Sequence, residues 1–188
     1  MPFSALQTYI VNNLSHVLWW HWVLMGILSI GVVIFLFHWK ENSLYGAVVL
    51  GLAVFVSLVL LDAAVLIRNS GIVPHGSGYT IKVGLNRLLH GSEFARAECV
   101  SNIAVFIPIG FFLMEFLASF SSKRLGTWRQ IGYTVLAGFG LSLCIECLQL
   151  ILHVGFFELM DLILNTSGTF LGACLSLMMR AIIGIEKS

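Results

Sequence analysis

Charge is what this sequence has least of. Asp, Glu, Lys and Arg make up 10% of its 188 residues, against 59% apolar residues and a mean hydropathy of +0.96. So little charge excludes an ordinary soluble domain, which needs about a quarter of its residues charged to cover its surface. The net charge is only +1. No basic surface exists to neutralise a run of phosphates, and nucleic acid is excluded as a partner. Cysteines are few: Cys99, Cys144, Cys147 and Cys174 lie in or beside apolar runs without the spacing of a zinc site or a disulfide framework, and are expected to be packing residues. The N-terminus lacks a basic region and the first apolar run is long enough to span, so no cleavable signal peptide is expected. No Ser/His or Cys/His arrangement has an activating context for a hydrolase.

What the chain has in abundance is long apolar runs. A spanning helix needs about 20 apolar residues, and five runs reach that length, at roughly 17–37, 45–67, 99–120, 131–152 and 159–183. The expected fold is therefore an all-α membrane protein, 1–188 forming one integral membrane domain of about five transmembrane helices with the lipid bilayer as its solvent. Trp19, Trp20 and Trp22 at one end of the first run and Trp39 at the other match two interfacial aromatic belts, with residues 3–16 as a lead-in. Between the second and third spans lies a loop of about 31 residues, long enough to suggest a purpose. It holds the turn-rich SGIVPHGSGY (70–79) and then an amphipathic stretch, 80–98. Pro108 falls inside the third span and should kink it. The turn 153–158 joins the last two spans.

Orientation follows from the basic residues. Arg68, Lys82, Arg87 and Arg96 fall on one side, and Lys40, Lys123, Arg124, Arg129, Arg180 and Lys187 on the other. The bias favours the N-terminus outside and the C-terminus inside, with the long loop extracytoplasmic.

Polar residues inside such runs are costly and need a reason. Gly138, Ser142, Glu146 and Gln149 fall on one helical stripe, and Asp161, Asn165, Gly168 and Gly172 on another, so the two stripes are expected to face each other. Alternating spans place Asp62, Asn102, Glu146, Gln149, Asp161 and Asn165 toward one membrane face, together with the long loop. This predicts a ligand-binding polar pocket of Asn102, Glu146, Gln149, Asp161 and Asn165, opening outward and roofed by residues 70–98. Glu146 and Asp161 are the candidate catalytic pair, one carboxyl kept protonated by burial. With His153 nearby they would equally suit a divalent cation, though no metal and no cofactor is assigned. Each has a plainer reading as well: Glu146 and Gln149 as interhelical hydrogen-bonding groups, Asp161 as a carboxylate favoured by the helix N-terminus. Asp62 is expected to pair with Arg68, and Glu115, toward the opposite face, to snorkel to water. Gly138, Ser142, Gly168 and Gly172 are expected to be helix-packing positions, either within the chain or against a second copy or membrane partner.

Three blocks carry a family likeness: NIAVFIPIGFFL (102–113), ECLQ (146–149) and FELMDLILNTSGTFLG (157–172). Their order and approximate spacing resemble VanZ-like membrane proteins, a family named for a bacterial teicoplanin-resistance protein. The resemblance covers about 99–175. It implies a place in the bacterial cytoplasmic membrane, a lipid-linked or glycopeptide-type ligand, and a role in glycopeptide tolerance. The chain departs from the family in one respect. Members carry an arginine a few residues before the aspartate that matches Asp161, where this chain has Gly155. A cation for Glu146 or Asp161 must then come from His153, Arg68, Arg87 or Arg96. Two other classes are consistent with the residues: a non-catalytic subunit that recruits an envelope-biogenesis partner through its glycine stripes, and a small transporter. The transporter is disfavoured because no inverted repeat is visible and the carboxylates cluster at one face.

Overall fold

A computed structural model describes residues 19–40, 44–61, 81–120, 125–152 and 157–183. The expectations for residues 3–16, Asp62, Arg68, the turns at 70–79, His153 and Gly155 lie outside the described residues. Every described element is a helix: α1 (Trp19–Lys40), α2 (Leu44–Leu61), α3 (Ile81–His90), α4 (Glu93–Phe120), α5 (Thr127–Ile151) and α6 (Leu159–Ile183). Three of them contain segments long and apolar enough to cross a membrane: Ala95–Ser119, Thr127–Ile151 and Leu159–Ile182. These are the last three expected spans. The first two correspond to α1 and α2, whose described apolar stretches, His21–Ile34 and Val48–Val59, are shorter. The third span also begins earlier than expected. Residues 80–98 are not one loop segment, because α3 ends at His90, Gly91 and Ser92 break the chain, and α4 starts at Glu93.

The central helix is α4, which packs against α2, α3, α5 and α6. Its contact with α6 is the most extensive, and the reason is backbone proximity. A Cβ on Gly172 would stand 2.0 Å from the Ile107 carbonyl oxygen, one on Gly168 2.2 Å from that of Ile103, and one on Gly110 2.0 Å from that of Thr169. Small residues on both partners let the helices approach closely in a setting where lipid tails compete on equal terms with apolar side chains. The expectation that the α6 stripe faces α5 is corrected here: Gly168 and Gly172 lie against α4, while Asn165 faces α5. The cause is that α6 lies in the groove between α4 and α5, so one stripe touches both. Thr169, which the stripe passed over, takes the place opposite Gly138, whose added Cβ would be 2.2 Å from its hydroxyl.

Three apolar clusters tie the helices together. Phe106, Ile109 and Ile145 join α4 to α5, with Val56 of α2 against them. Met25 and Val59 join α1 to α2. Cys99, Met160 and Leu164, with Leu88 and Ile103, join α3, α4 and α6. Of the four cysteines, only Cys99 is buried; Cys144 and Cys147 are exposed on α5, which corrects their reading as packing residues. They occupy the lipid-side positions of a helix whose inward stripe is taken by Gly138, Ser142, Glu146 and Gln149.

Several polar groups in these helices are satisfied from within. The hydroxyls of Ser29, Ser57, Thr166 and Ser167 donate to carbonyls one turn back, the bond open to them where water is absent. Glu115 does not snorkel. It is buried, accepts from the Ser176 hydroxyl at 2.5 Å and from Arg180 Nε at 2.9 Å, and a second Arg180 nitrogen donates to the Met114 carbonyl at 2.9 Å. Burial of a carboxylate in this position is tolerable because α6 delivers a cation to it.

Two outcomes are expected in thermal unfolding of purified protein. Gly172→Ala should cost about 1–3 kcal/mol by forcing α4 and α6 apart, whereas Gly140→Ala, with nothing within 4 Å of the new methyl, should be neutral or mildly stabilising. Arg180→Met should cost about 3–5 kcal/mol by stranding the Glu115 carboxylate, and adding Glu115→Leu should recover most of that loss.

Candidate functional site

One end of the bundle gathers the end of α5, the starts of α4 and α6, and α3 across them. Glu146 is in the last turns of α5 and 2% exposed. Its Oε2 accepts the backbone N–H of Glu158 at 2.8 Å. Glu158 directly precedes α6, and its carbonyl accepts the N–H groups of Asp161 and Leu162. Glu146 thus satisfies a backbone donor at the mouth of α6 and ties the end of α5 to the start of α6. The N–H groups at a helix start have no intrahelical partner, and the positive end of the helix dipole favours a carboxylate there.

Glu158 turns its own carboxylate the other way. It is buried, and Arg87 of α3 donates to it at 3.1 Å. The second guanidinium arm of Arg87 is ion-paired with Glu98 of α4. One arginine therefore spans two carboxylates from two helices, a task suited to its rigid fork of donors. Burial by itself would lower the Arg87 pKa, but Glu98 and Glu158, with Asp161 adding to them, outweigh it and hold the guanidinium above its ordinary value. A raised pKa gives stability that is fully present below the unfolded-state value and is lost only as pH rises through the folded one. The cation therefore persists at any pH short of strong alkali.

Glu146, Gln149 and Asn165 are buried, and Asp161 is half-buried in the first turn of α6. Asn165 donates through Nδ2 to the Ser142 hydroxyl at 2.9 Å, joining α6 to α5 one turn deeper than Glu146. Its Oδ1 is buried without a hydrogen-bond partner among the described residues. A buried amide oxygen left without a donor costs about 1–3 kcal/mol, which makes this atom the acceptor the local structure leaves open. Asn102 is half-buried on α4, one turn along from Glu98, and forms no hydrogen bond with the other candidates among the described residues.

Sequence reasoning missed Glu98 and Glu158. Both lie in connecting segments of the sequence reading, outside the apolar runs in which a polar residue stands out. A usable signal was present: each is an acid within a turn or two of an apolar helix start, where partnering is needed. Arg87 was among the cations considered for Glu146 or Asp161, and the carboxylates it bridges are those of Glu98 and Glu158. Arg96, another of those cations, has its Nε buried without a partner among the described residues.

A family model described as VanZ/LLP1 matches residues 23–180. Searches of curated proteins and of solved structures return no match.

Replacing Arg87 with Met should release α3 without unfolding the spans. Hydrogen exchange of the 81–90 amides should quicken by about an order of magnitude, equivalent to about 1.4 kcal/mol, with α5 and α6 unchanged. Arg87→Lys should restore only part of the protection, since a single ammonium cannot reproduce the fork between two carboxylates.

Proposed function

Because the chain belongs to the VanZ/LLP1 family, with a match covering most of its length, we propose that it is a bacterial envelope protein of the cytoplasmic membrane that binds a lipid-linked or glycopeptide-type ligand at this polar end. In this reading α1 and α2 are two further spans, the N-terminus lies outside and the C-terminus inside. The polar end then opens to the extracytoplasmic side, where such ligands are found. Teicoplanin tolerance is the associated phenotype.

The observation that supports binding best is Asn165 Oδ1. Among the described residues it is an unpartnered acceptor, on a residue 6% exposed, next to Ser142 and a turn from Glu146. A polar ligand carrying a hydroxyl or amide N–H would satisfy it. Asp161, one turn nearer the start of α6, and Gln149, about two turns beyond Ser142 toward the end of α5, are further polar groups on the same helices. The ligand is engaged by hydrogen bonds. The Glu146 carboxylate, already accepting the Glu158 N–H, acts as a positioning group that keeps α5 and α6 at the separation Asn165 requires. Recruitment of a partner through the glycine stripe has less support, because Gly168 and Gly172 are covered by α4 within the chain.

The test is expression in a teicoplanin-susceptible bacterium. Wild-type protein should raise the inhibitory concentration, and Glu146→Ala or Asp161→Ala, accumulating normally in the membrane, should return it to the host's baseline. Full tolerance in both variants would reject the polar site, and no tolerance from the wild type would reject the glycopeptide assignment.

A further inference from the structure

The segment over the polar end has a face that none of the described residues covers. Helix α3 is the most amphipathic of the described helices, and at about 100° per residue its residues divide into three sectors. Gly84, Arg87 and Leu88 face the bundle. A Cβ on Gly84 would lie 2.4 Å from Met160, Leu88 packs on the Cys99, Met160 and Leu164 cluster, and Arg87 binds Glu98 and Glu158. Asn86 and His90 form a polar exposed sector. Ile81, Leu85 and Leu89, at successive i+4 steps between those two sectors, form an apolar stripe 47%, 46% and 57% exposed.

An apolar stripe and a polar stripe side by side on one short helix require two solvents. Where α3 sits decides which two. It packs against the first turn of α6 and the opening turns of α4, where the membrane-crossing segments Leu159–Ile182 and Ala95–Ser119 begin. Leu159 and Ile163, at the same level on α6, are exposed apolar residues of a spanning helix. The stripe on α3 continues that lipid-facing surface around the end of the bundle.

We propose that α3 lies in the membrane interface, with Ile81, Leu85 and Leu89 immersed at the boundary of head groups and acyl chains, Asn86 and His90 in water, and Arg87 anchoring the helix to both spans. A helix with these sectors gains by burying its apolar face about 5–10 Å into that boundary. The roof of the polar end is thus part protein and part lipid. A lipid-borne molecule would meet α3 on moving along the membrane, before reaching the buried carboxylates. The assignment of α3 to the interface is independent of the ligand reading above, since it concerns only the bilayer.

The experiment uses the full chain in vesicles of phosphatidylethanolamine and phosphatidylglycerol doped with either of two diazirine lipids. One carries the photoreactive group near the glycerol end of the acyl chain, the other at the chain terminus. After irradiation, adducts are mapped by peptide mass spectrometry. The shallow probe should label Ile81, Leu85 and Leu89 several-fold more than the deep probe does, and more than either labels Asn86 or His90, with Phe170 and Leu171 of α6 taking the deep probe as the internal control. Equal labelling of α3 by both probes, or none on the stripe while α6 is labelled, would overturn the proposal. So would cross-links from the stripe to a second protein chain in place of lipid.

Discussion

Inside an apolar slab a polar group has to find its partner in the same chain, and most of this structure follows from that constraint. The hydroxyls bond back to their own helix, Glu115 takes Ser176 and Arg180, and Glu146 takes the Glu158 backbone N–H. The Glu115 and Glu146 pairings join one element to another, so polar satisfaction and helix register are specified together. The glycines work in the same direction. Gly110, Gly168 and Gly172 bring α4 and α6 close enough that no side chain separates their backbones, and that proximity sets where Glu115 meets Arg180 at one end and where Glu98 and Glu158 stand at the other.

The two ends of the bundle use the same chemistry differently. At the Glu115 end, one carboxylate meets one guanidinium and the contact is closed. At the Glu146 end, Glu98, Glu158 and Asp161 surround Arg87, and an amide oxygen deeper in the seam has no donor among the described residues. A buried acceptor without a donor departs from full satisfaction and is locally destabilising. The helix that roofs this end is held to both spans by the two ion pairs of Arg87 and by Gly84 and Leu88 packed on Met160 and its neighbours.

Much of this was legible in the sequence, and the reasons are physical. Apolar runs of spanning length are explicit in the residues, and α5 and α6 match the runs expected at 131–152 and 159–183 closely. The stripe Gly138, Ser142, Glu146 and Gln149 is buried as its helical spacing implies. What sequence could not supply was the third dimension. An offset of about 60° around the helix, the result of a three-residue step, sends Asn165 to α5 and Gly168 to α4, and no spacing rule says that α6 lies between two partners. Glu115 reads as an interfacial acid until a helix 65 positions further on brings Arg180 to it. Glu98 and Glu158 were hidden by boundaries: with the third span begun at Cys99 and the last turn ended at 158, each fell just outside the segment in which its charge matters. Helix ends are where sequence patterns are weakest and where this protein concentrates its polar groups.

The central claim is that the seam between α5 and α6 is a binding site and not merely polar packing. The most direct test is a structure of the protein in a lipid nanodisc at a resolution that shows ordered groups around Asn165. The account predicts density for a donor within hydrogen-bond distance of Asn165 Oδ1, continuous with a molecule that leads out between α3 and the ends of α5 and α6. A dry seam, with apolar side chains closed over Asn165 and nothing between Glu146 and Asp161, would contradict it.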